Sequence, residues 1–197
     1  ILGVPLIEVK KREADDIIWL IARKLKRKNF EVVIVSSDKD FNQLICKGIS
    51  IWNPKDNKRY THLNLKTETG YEPHECVDYL ILDGDSSDNI KGMPGVGKVT
   101  ALKFINENGS IKKYLTSRNV ELKKFKRNIL EPVFLLNREL IDIRLFCRRN
   151  LRKVKVKIPI ITLKKVKRKQ LAYFCSDFNI STFVKDDFVK TFNKLLK

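Results

Sequence analysis

Seven carboxylates in three groups are the side chains whose spacing points to chemistry: Glu13, Asp15 and Asp16; Asp38 and Asp40; Asp85 and Asp88. Acids gathered in one place repel one another and resist ionisation unless a cation lies between them. Several carboxylates with no His or Cys at ligand spacing favour Mg²⁺ or Mn²⁺ over zinc. Two such ions about 3.5–4 Å apart can activate a water and stabilise the leaving oxygen of a phosphodiester. Taken singly, each group has a plainer meaning. Asp38 alone would be a helix cap, and Asp15 and Asp16 would be first-turn acids complementing a helix dipole. The metal interpretation comes from all three together, beside a turn suited to phosphate. Helical spacing puts Glu13 and Asp16 on one face and Asp15 to the side, so it leaves open which of the three touch metal.

The turn follows directly on the third group and reads Gly92-Met93-Pro94-Gly95-Val96-Gly97-Lys98, with Thr100 two residues on. A Gly-x-Gly ahead of a helix start offers unpaired backbone N–H groups to a phosphate. A lone GxG is weak, since a tight loop between helices has the same pattern. The longer spacing from Gly92 through Gly95, Gly97 and Lys98 to Ala101 is more specific, because its small residues let two helices pack around the turn. Contacts made there grip the phosphate backbone and carry no base code, so specificity should concern nucleic-acid shape. Composition points the same way. The 197 residues carry 41 Lys+Arg against 23 Asp+Glu, a net charge of +18. An excess of that size signals a polyanionic partner, nucleic acid being the commonest, with a solubilising lysine surface as the plainer alternative.

The elements that must position these groups form an α/β pattern. Leu6–Val9 reads as a short strand. The helix after Glu13 carries Ala14, Ile17, Ile18, Ile21 and Leu25 on one face. Glu31–Val35 is a β-rich apolar run of the kind covered on both faces. Ser36-Ser37-Asp38 then leads into a helix start over Asp40–Ile45. This places polar residues at the carboxyl end of a strand, where open parallel sheets hold their sites. Ile49–Trp52 and Arg59–Leu63 predict a hairpin across Pro54-Lys55-Asp56-Asn57. Helical spacing follows over Pro73–Leu82, then after Gly97 with Ala101, Leu102, Phe104 and Ile105 inward until Asn108-Gly109 stops it. A longer helical pattern runs from Val120 to about Ile143, interrupted or restarted at Pro132. Beyond Arg148 the chain is strongly basic. Lys164–Lys169 introduces a helix with Leu171, Phe174 and Phe178, and the tail predicts an amphipathic helix on Phe188, Phe192 and Leu195.

Cys46, Cys76, Cys147 and Cys175 have no CxxC or Cys/His spacing and read as reduced, mostly buried thiols. His62 and His74 read as surface or half-buried residues. No apolar run approaches the ~20 residues of a membrane span and no signal peptide is visible, so a cytoplasmic protein is expected. The length suits one sizeable core, or one core with a smaller helical lobe.

Glu13-Ala14-Asp15-Asp16, Ser37-Asp38-Lys39-Asp40 and Gly84-Asp85-Ser86-Ser87-Asp88-Asn89, in this order, resemble the signatures of the 5′-nuclease family. That family comprises flap endonucleases, phage 5′→3′ exonucleases and the 5′-nuclease domain of bacterial DNA polymerases. The resemblance covers about the first half of the chain, and the stand-alone length looks more phage-like than polymerase-linked. It implies the C-terminal part of an α/β, parallel-sheet (PIN-like) metal-dependent nuclease core over residues 1–82, a helix–three-turn–helix duplex-binding region over 83–147, and a basic helical C-terminal region over 148–197. The clamp itself would span Ile90 to Ile105. Glu13 and Asp15 would be ligands of a first metal with Asp16 close by, and Asp38, Asp40 and Asp85 would serve a second, assisted by Asp88. Gly92, Gly95, Val96, Gly97, Lys98 and Thr100 would form the DNA-binding turn. The implied cofactors are two Mg²⁺ or Mn²⁺ ions, with K⁺ at the clamp. The family also has an earlier segment with further aspartates and a helical arch, none of which precedes Ile1, so the chain is expected to be N-terminally incomplete.

The implied function is a structure-specific 5′-nuclease, acting as a monomer on 5′-flapped or nicked duplex DNA or an RNA primer, in a host cytoplasm if phage-encoded. The alternative is a non-catalytic duplex-binding module that retains the clamp and uses its acids structurally.

Overall fold

The structure, a computed structural model, describes residues 5–118, 120–154, 156–158, 165, 167–177 and 186–194. It divides into two units, Lys11–Val156 and a second made of Ile1–Lys10 with Lys157–Lys197.

In the larger unit, α1 (Ala14–Lys26) starts after an extended Glu13, with Asp15 and Asp16 in its first turn and Arg23, Lys24 and Lys26 in its last. That charge order complements the helix dipole. Strand β1 (Val32–Val35) pairs in parallel with β2 (Ile49–Asn53), from Val32 opposite Ile49 to Val35 opposite Trp52. β3 (Lys58–Tyr60) returns antiparallel to β2 through a turn in which Asn57 takes a φ of 51°. The sheet is therefore mixed, in the order β1-β2-β3. Expectation and structure part at β1. Its Ile34 is buried, but Val33 and Val35 are 46% and 67% exposed, so only one face of the strand is covered among the described residues. Residues 5–9 form no strand, because their backbone pairs with no partner strand among the described residues.

A 3₁₀ turn over Lys39–Leu44 replaces the helix start expected after Asp38. Its polar side chains are tied to distant elements. Asn42 donates to the Tyr71 hydroxyl at 3.0 Å. The fully buried Gln43 donates to Ile141 O at 2.9 Å and accepts from Ile143 N at 3.1 Å. After the short α2 (Leu65–Thr69), α3 (Cys76–Asp83) crosses the middle of the unit with nearly every side chain inside. A two-stranded hairpin, β4 (Gly84–Asp85) and β5 (Ile90–Lys91), leads on to α4 (Lys98–Asn108), α5 (Ile111–Thr116), α6 (Arg127–Ile141) and α7 (Ile143–Asn150).

Ala101, Phe104 and Ile105 of α4 pack with Leu80, Ile81, Leu82, Ile111, Leu130 and Ile141 in a cluster that extends from Ala22 to Ile141. One interior thus serves the segments on both sides of residue 82. The helical pattern expected from Val120 becomes a helix only at Arg127. The preceding stretch gives its backbone to Tyr114, whose hydroxyl accepts from Leu122 N at 2.8 Å and donates to Phe125 O at 3.1 Å. α6 continues past Pro132 without ending, with Leu130, Phe134, Asn137 and Ile141 inward.

In the smaller unit, α8 (Arg168–Asp177) and α9 (Asp186–Lys194) join through Leu171 and Cys175 against Phe188, Val189 and Phe192. Phe178 and Leu195 lie outside the described residues. All four cysteines are free thiols; Cys46 is half-buried and the other three are buried. His62 and His74 are exposed. No helix among the described residues is long and apolar enough to cross a membrane.

Candidate metal centre and phosphate-binding turn

Three elements bring the acids together: the first turn of α1, the 3₁₀ turn after β1, and the β4–β5 hairpin. Asp40, Asp85 and Asp88 each present a carboxylate oxygen within 4.8 Å of the other two. Asp40 is only 9% exposed, and its Oδ1 is buried without a hydrogen-bond partner. A buried, unsatisfied carboxylate oxygen is costly, and a cation is the partner that satisfies it best. Burial first, then Asp38, Asp85 and Asp88, pushes the Asp40 carboxyl up to about 7, with Lys39 acting in the opposite direction. Asp15 is also raised, by burial and then by Asp38, Glu13, Asp16 and Asp88. Asp85 goes the other way. Burial would raise it, but the Ser87 hydroxyl and N–H and the Lys39 ammonium outweigh that and hold it low.

Glu13, Asp15, Asp16, Asp40 and Asp88 line one cleft of about 300 Å³, walled on the apolar side by Leu140, Ile143 and Phe146. Within the first group the side chains separate. Asp15 is half-buried and faces the charges of Asp38 and Asp88, whereas Glu13 is exposed. Asp16 is buried, with the Cys147 thiol donating to its Oδ1 at 3.4 Å. Asp38 uses its Oδ1 to accept from Asp40 N at 2.9 Å, and so sets the backbone that aims Asp40.

The hairpin is fixed by two glycines. A Cβ on Gly84 would stand 2.5 Å from Gly92 N, and one on Gly92 would stand 2.4 Å from Leu82 O. Only glycine at both positions lets the hairpin close on the end of α3 and set Asp85. Gly92, expected at the phosphate turn, therefore has a packing duty of its own. Asn137 of α6 secures the same hairpin by donating to Lys91 O at 2.8 Å.

Gly95 and Gly97 are different. Both are exposed, Gly95 has a φ of 72°, and nothing lies within 4 Å of a Cβ built on either. They leave open space in front of α4. Gly97 supplies no side-chain cap, and the first intrahelical bond runs from Ala101 N to Gly97 O, so the N–H groups of Lys98, Val99 and Thr100 have no intrahelical acceptor. Lys98 is exposed at this positive helix end, and Thr100 is half-buried. Val96 has its side chain buried and its N–H bonded to Met93 O, so it anchors the turn.

Sequence spacing passed over Lys39, whose Nζ lies 3.2 Å from Asp85 Oδ2, and Ser87, whose N–H donates to Asp85 Oδ1 at 3.0 Å. Both sit inside the acidic motifs, and that position was the available signal. Gln43, Asn137 and Cys147 gave none, because each acts on a partner more than forty residues away.

Residues 1–70 match the N-terminal resolvase-like domain of 5′-3′ exonucleases, and residues 71–172 match their C-terminal SAM fold. The chain belongs to the 5′-3′ exonuclease family. A 5′-3′ exonuclease of Aquifex aeolicus is 37% identical over 125 residues, 64% of this chain and 43% of that protein. One from Buchnera aphidicola of Schizaphis graminum is 35% identical over 178 residues, 87% of this chain and 61% of that protein. The chain thus spans about half the length of these curated relatives. Among solved structures, the T5 D15 protein co-crystallised with metal ions superposes with a TM-score of 0.65 at 18% identity, over 98% of this chain and 63% of that one. The bacteriophage T5 D15 flap endonuclease in complex with DNA and metal ions gives 0.64 at 17% identity, over 96% and 60%. At such identities the likeness establishes the fold, which is the one the acidic motifs implied. The acidic cluster of this family member has the composition and closeness to bind a divalent metal ion.

Proposed function

We propose that this chain is the metal-binding and duplex-gripping part of a structure-specific 5′-nuclease that hydrolyses DNA phosphodiesters. The observation that carries the proposal is the buried, unpartnered Oδ1 of Asp40 within a cluster of three convergent carboxylates. Asp40, Asp85 and Asp88 would hold one ion. Asp15, with Glu13, Asp16 and Asp38 around it, would serve a second. An all-oxygen donor set suits Mg²⁺ or Mn²⁺. Such an ion supplies positive charge to the phosphodiester oxygens and lowers the pKa of water.

The chain's own residues do the rest. Ser87 and Lys39 keep Asp85 ionised. Leu140, Ile143 and Phe146 limit water on one side of the cleft. Gly95, Gly97, Lys98 and Thr100 would take backbone phosphates of the duplex, and K⁺ would sit among the carbonyls of the same turn. The grip recognises backbone, so a junction such as a 5′-flap, a nick or an RNA primer end would be selected by shape. A monomer acting in the cytoplasm fits this reading.

The test is cleavage of an end-labelled 5′-flapped duplex with and without Mg²⁺, by the wild type and by Asp40→Asn. Mg²⁺-dependent cutting that the variant loses while it still binds duplex supports the proposal. Duplex binding without cleavage, unchanged by the substitution, would replace it with a non-catalytic binding module.

A further inference from the structure

Lys39 stands in an unusual place for a cation. It lies between Asp38 and Asp40 in sequence, and its Nζ is 3.2 Å from Oδ2 of Asp85, a member of the three-carboxylate cluster. The other oxygen of Asp85 already accepts from Ser87 N and Ser87 Oγ. An ion approaching Asp85 therefore meets an ammonium on one oxygen and two donors on the other. The backbone at Lys39 is fixed. Asp38 Oδ1 accepts from Asp40 N at 2.9 Å, and the Cys76 thiol approaches Lys39 O at 3.9 Å. The side chain is not fixed, being 43% exposed on a flexible four-carbon stem. It lines the cleft around Gly84–Ser86 and also a second cleft that reaches from Ser36–Asp38 to Lys98 at the start of α4. Lys39 thus borders both the acidic cluster and the space leading to the phosphate-binding turn.

We propose that Lys39 is an exchangeable counter-ion: it neutralises Asp85 before metal binds, gives up that oxygen to the divalent ion, and then takes a substrate phosphate in the cleft toward Lys98. A monovalent ammonium and a divalent cation cannot share one carboxylate oxygen without strong repulsion at such distances. The released ammonium remains at the border between metal and clamp, where an arriving phosphate supplies the negative charge it has lost. Lys39 is in this sense a positioning residue for the metal and a contact for the substrate. The inference rests on the metal-site reading above.

The experiment titrates Mn²⁺ into the full chain by calorimetry without DNA, comparing wild type, Lys39→Met and Lys39→Arg. Removing the competing charge in Lys39→Met should tighten Mn²⁺ binding by about 3–10-fold, while Lys39→Arg stays within about 2-fold of wild type. In a second arm, binding to a 5′-flapped duplex is measured against salt in Ca²⁺. There Lys39→Met should weaken binding and lower the slope of log K against log salt by about 0.9, the signature of one phosphate contact. Unchanged or weaker Mn²⁺ binding in Lys39→Met overturns the counter-ion role, and an unchanged salt slope overturns the phosphate contact. If the wild type binds no Mn²⁺ at all, the metal-site reading falls and this inference with it. Wild-type binding without the shift sinks this inference alone.

Discussion

Asp40 is a buried carboxylate and Asp78 a half-buried one, and loss of solvent is the largest cause of the upward shift in each, to about 7 and about 6. Their surroundings differ. Asp78, on α3, accepts from Ile111 N at 3.1 Å and so bonds α3 to the start of α5, with Arg138 nearby to favour its charge. Asp40 has an oxygen with no partner, and its neighbours Asp38, Asp85 and Asp88 all raise it further. Burial alone therefore does not mark a functional acid. An unmet oxygen among like charges is costly unless something binds there, and the proposed metal site rests on that.

The largest separation between the two acids should appear in cleavage. Asp40→Asn should lower Mg²⁺-dependent cutting of a 5′-flapped duplex at least about 100-fold, more than loss of an outer partner of a metal site commonly costs. Asp78→Asn should stay within about 3-fold in the same assay. Equal losses would erase the contrast. Stability should show the reverse. Asp78→Ala leaves Ile111 N without its acceptor and should cost about 2–3 kcal/mol in urea unfolding. Asp40→Asn should leave metal-free stability unchanged or higher, because it removes a repelled charge.

The pH dependence sharpens the same point. Both acids hold their protons more tightly in the folded than in the unfolded chain, where the ordinary value is 3.8. The associated stability is full below about pH 4 and is lost as pH rises to about 7 for Asp40 and about 6 for Asp78. Without metal, the wild type should lose about 1–3 kcal/mol more than Asp40→Asn between pH 5 and pH 8, the comparison cancelling the charge of the rest of the chain. Mg²⁺ should abolish that difference and leave the Asp78 share untouched. Urea midpoints at the two pH values decide it. The smallest effect belongs to the clamp. Lys98→Ala should reduce the salt slope of duplex binding by about 0.9, with metal affinity and stability unchanged. A change in metal affinity would show that the two regions are not independent.

Much of this was legible in the residues. The three acidic groups, the glycine turn, the hairpin at Asn57 and the stop at Gly109 rest on local chemistry; the structure has the turn at Asn57 and the helix end at Gly109, and it brings Asp40, Asp85 and Asp88 together. The readings that failed depended on what lies far away in sequence. Apolar Val33 and Val35 suggested a strand covered on both faces, but composition does not say what layer is present to cover it. Val120–Lys126 had helical spacing, yet Tyr114 took its backbone hydrogen bonds.

The sequence by itself determined the kind of chemistry proposed, because ligand type and phosphate-turn pattern are properties of a few adjacent residues. Only the tertiary structure decided how those residues divide the work. It turned Asp15 toward the cluster and Asp16 toward Cys147, gave Gly92 to packing and Gly95 and Gly97 to open space, and set Lys39 against Asp85. The physical reason is that a helix or strand period assigns a face, whereas the partner on that face comes from another element. Burial, charge and the state of each oxygen at the site follow from that partner.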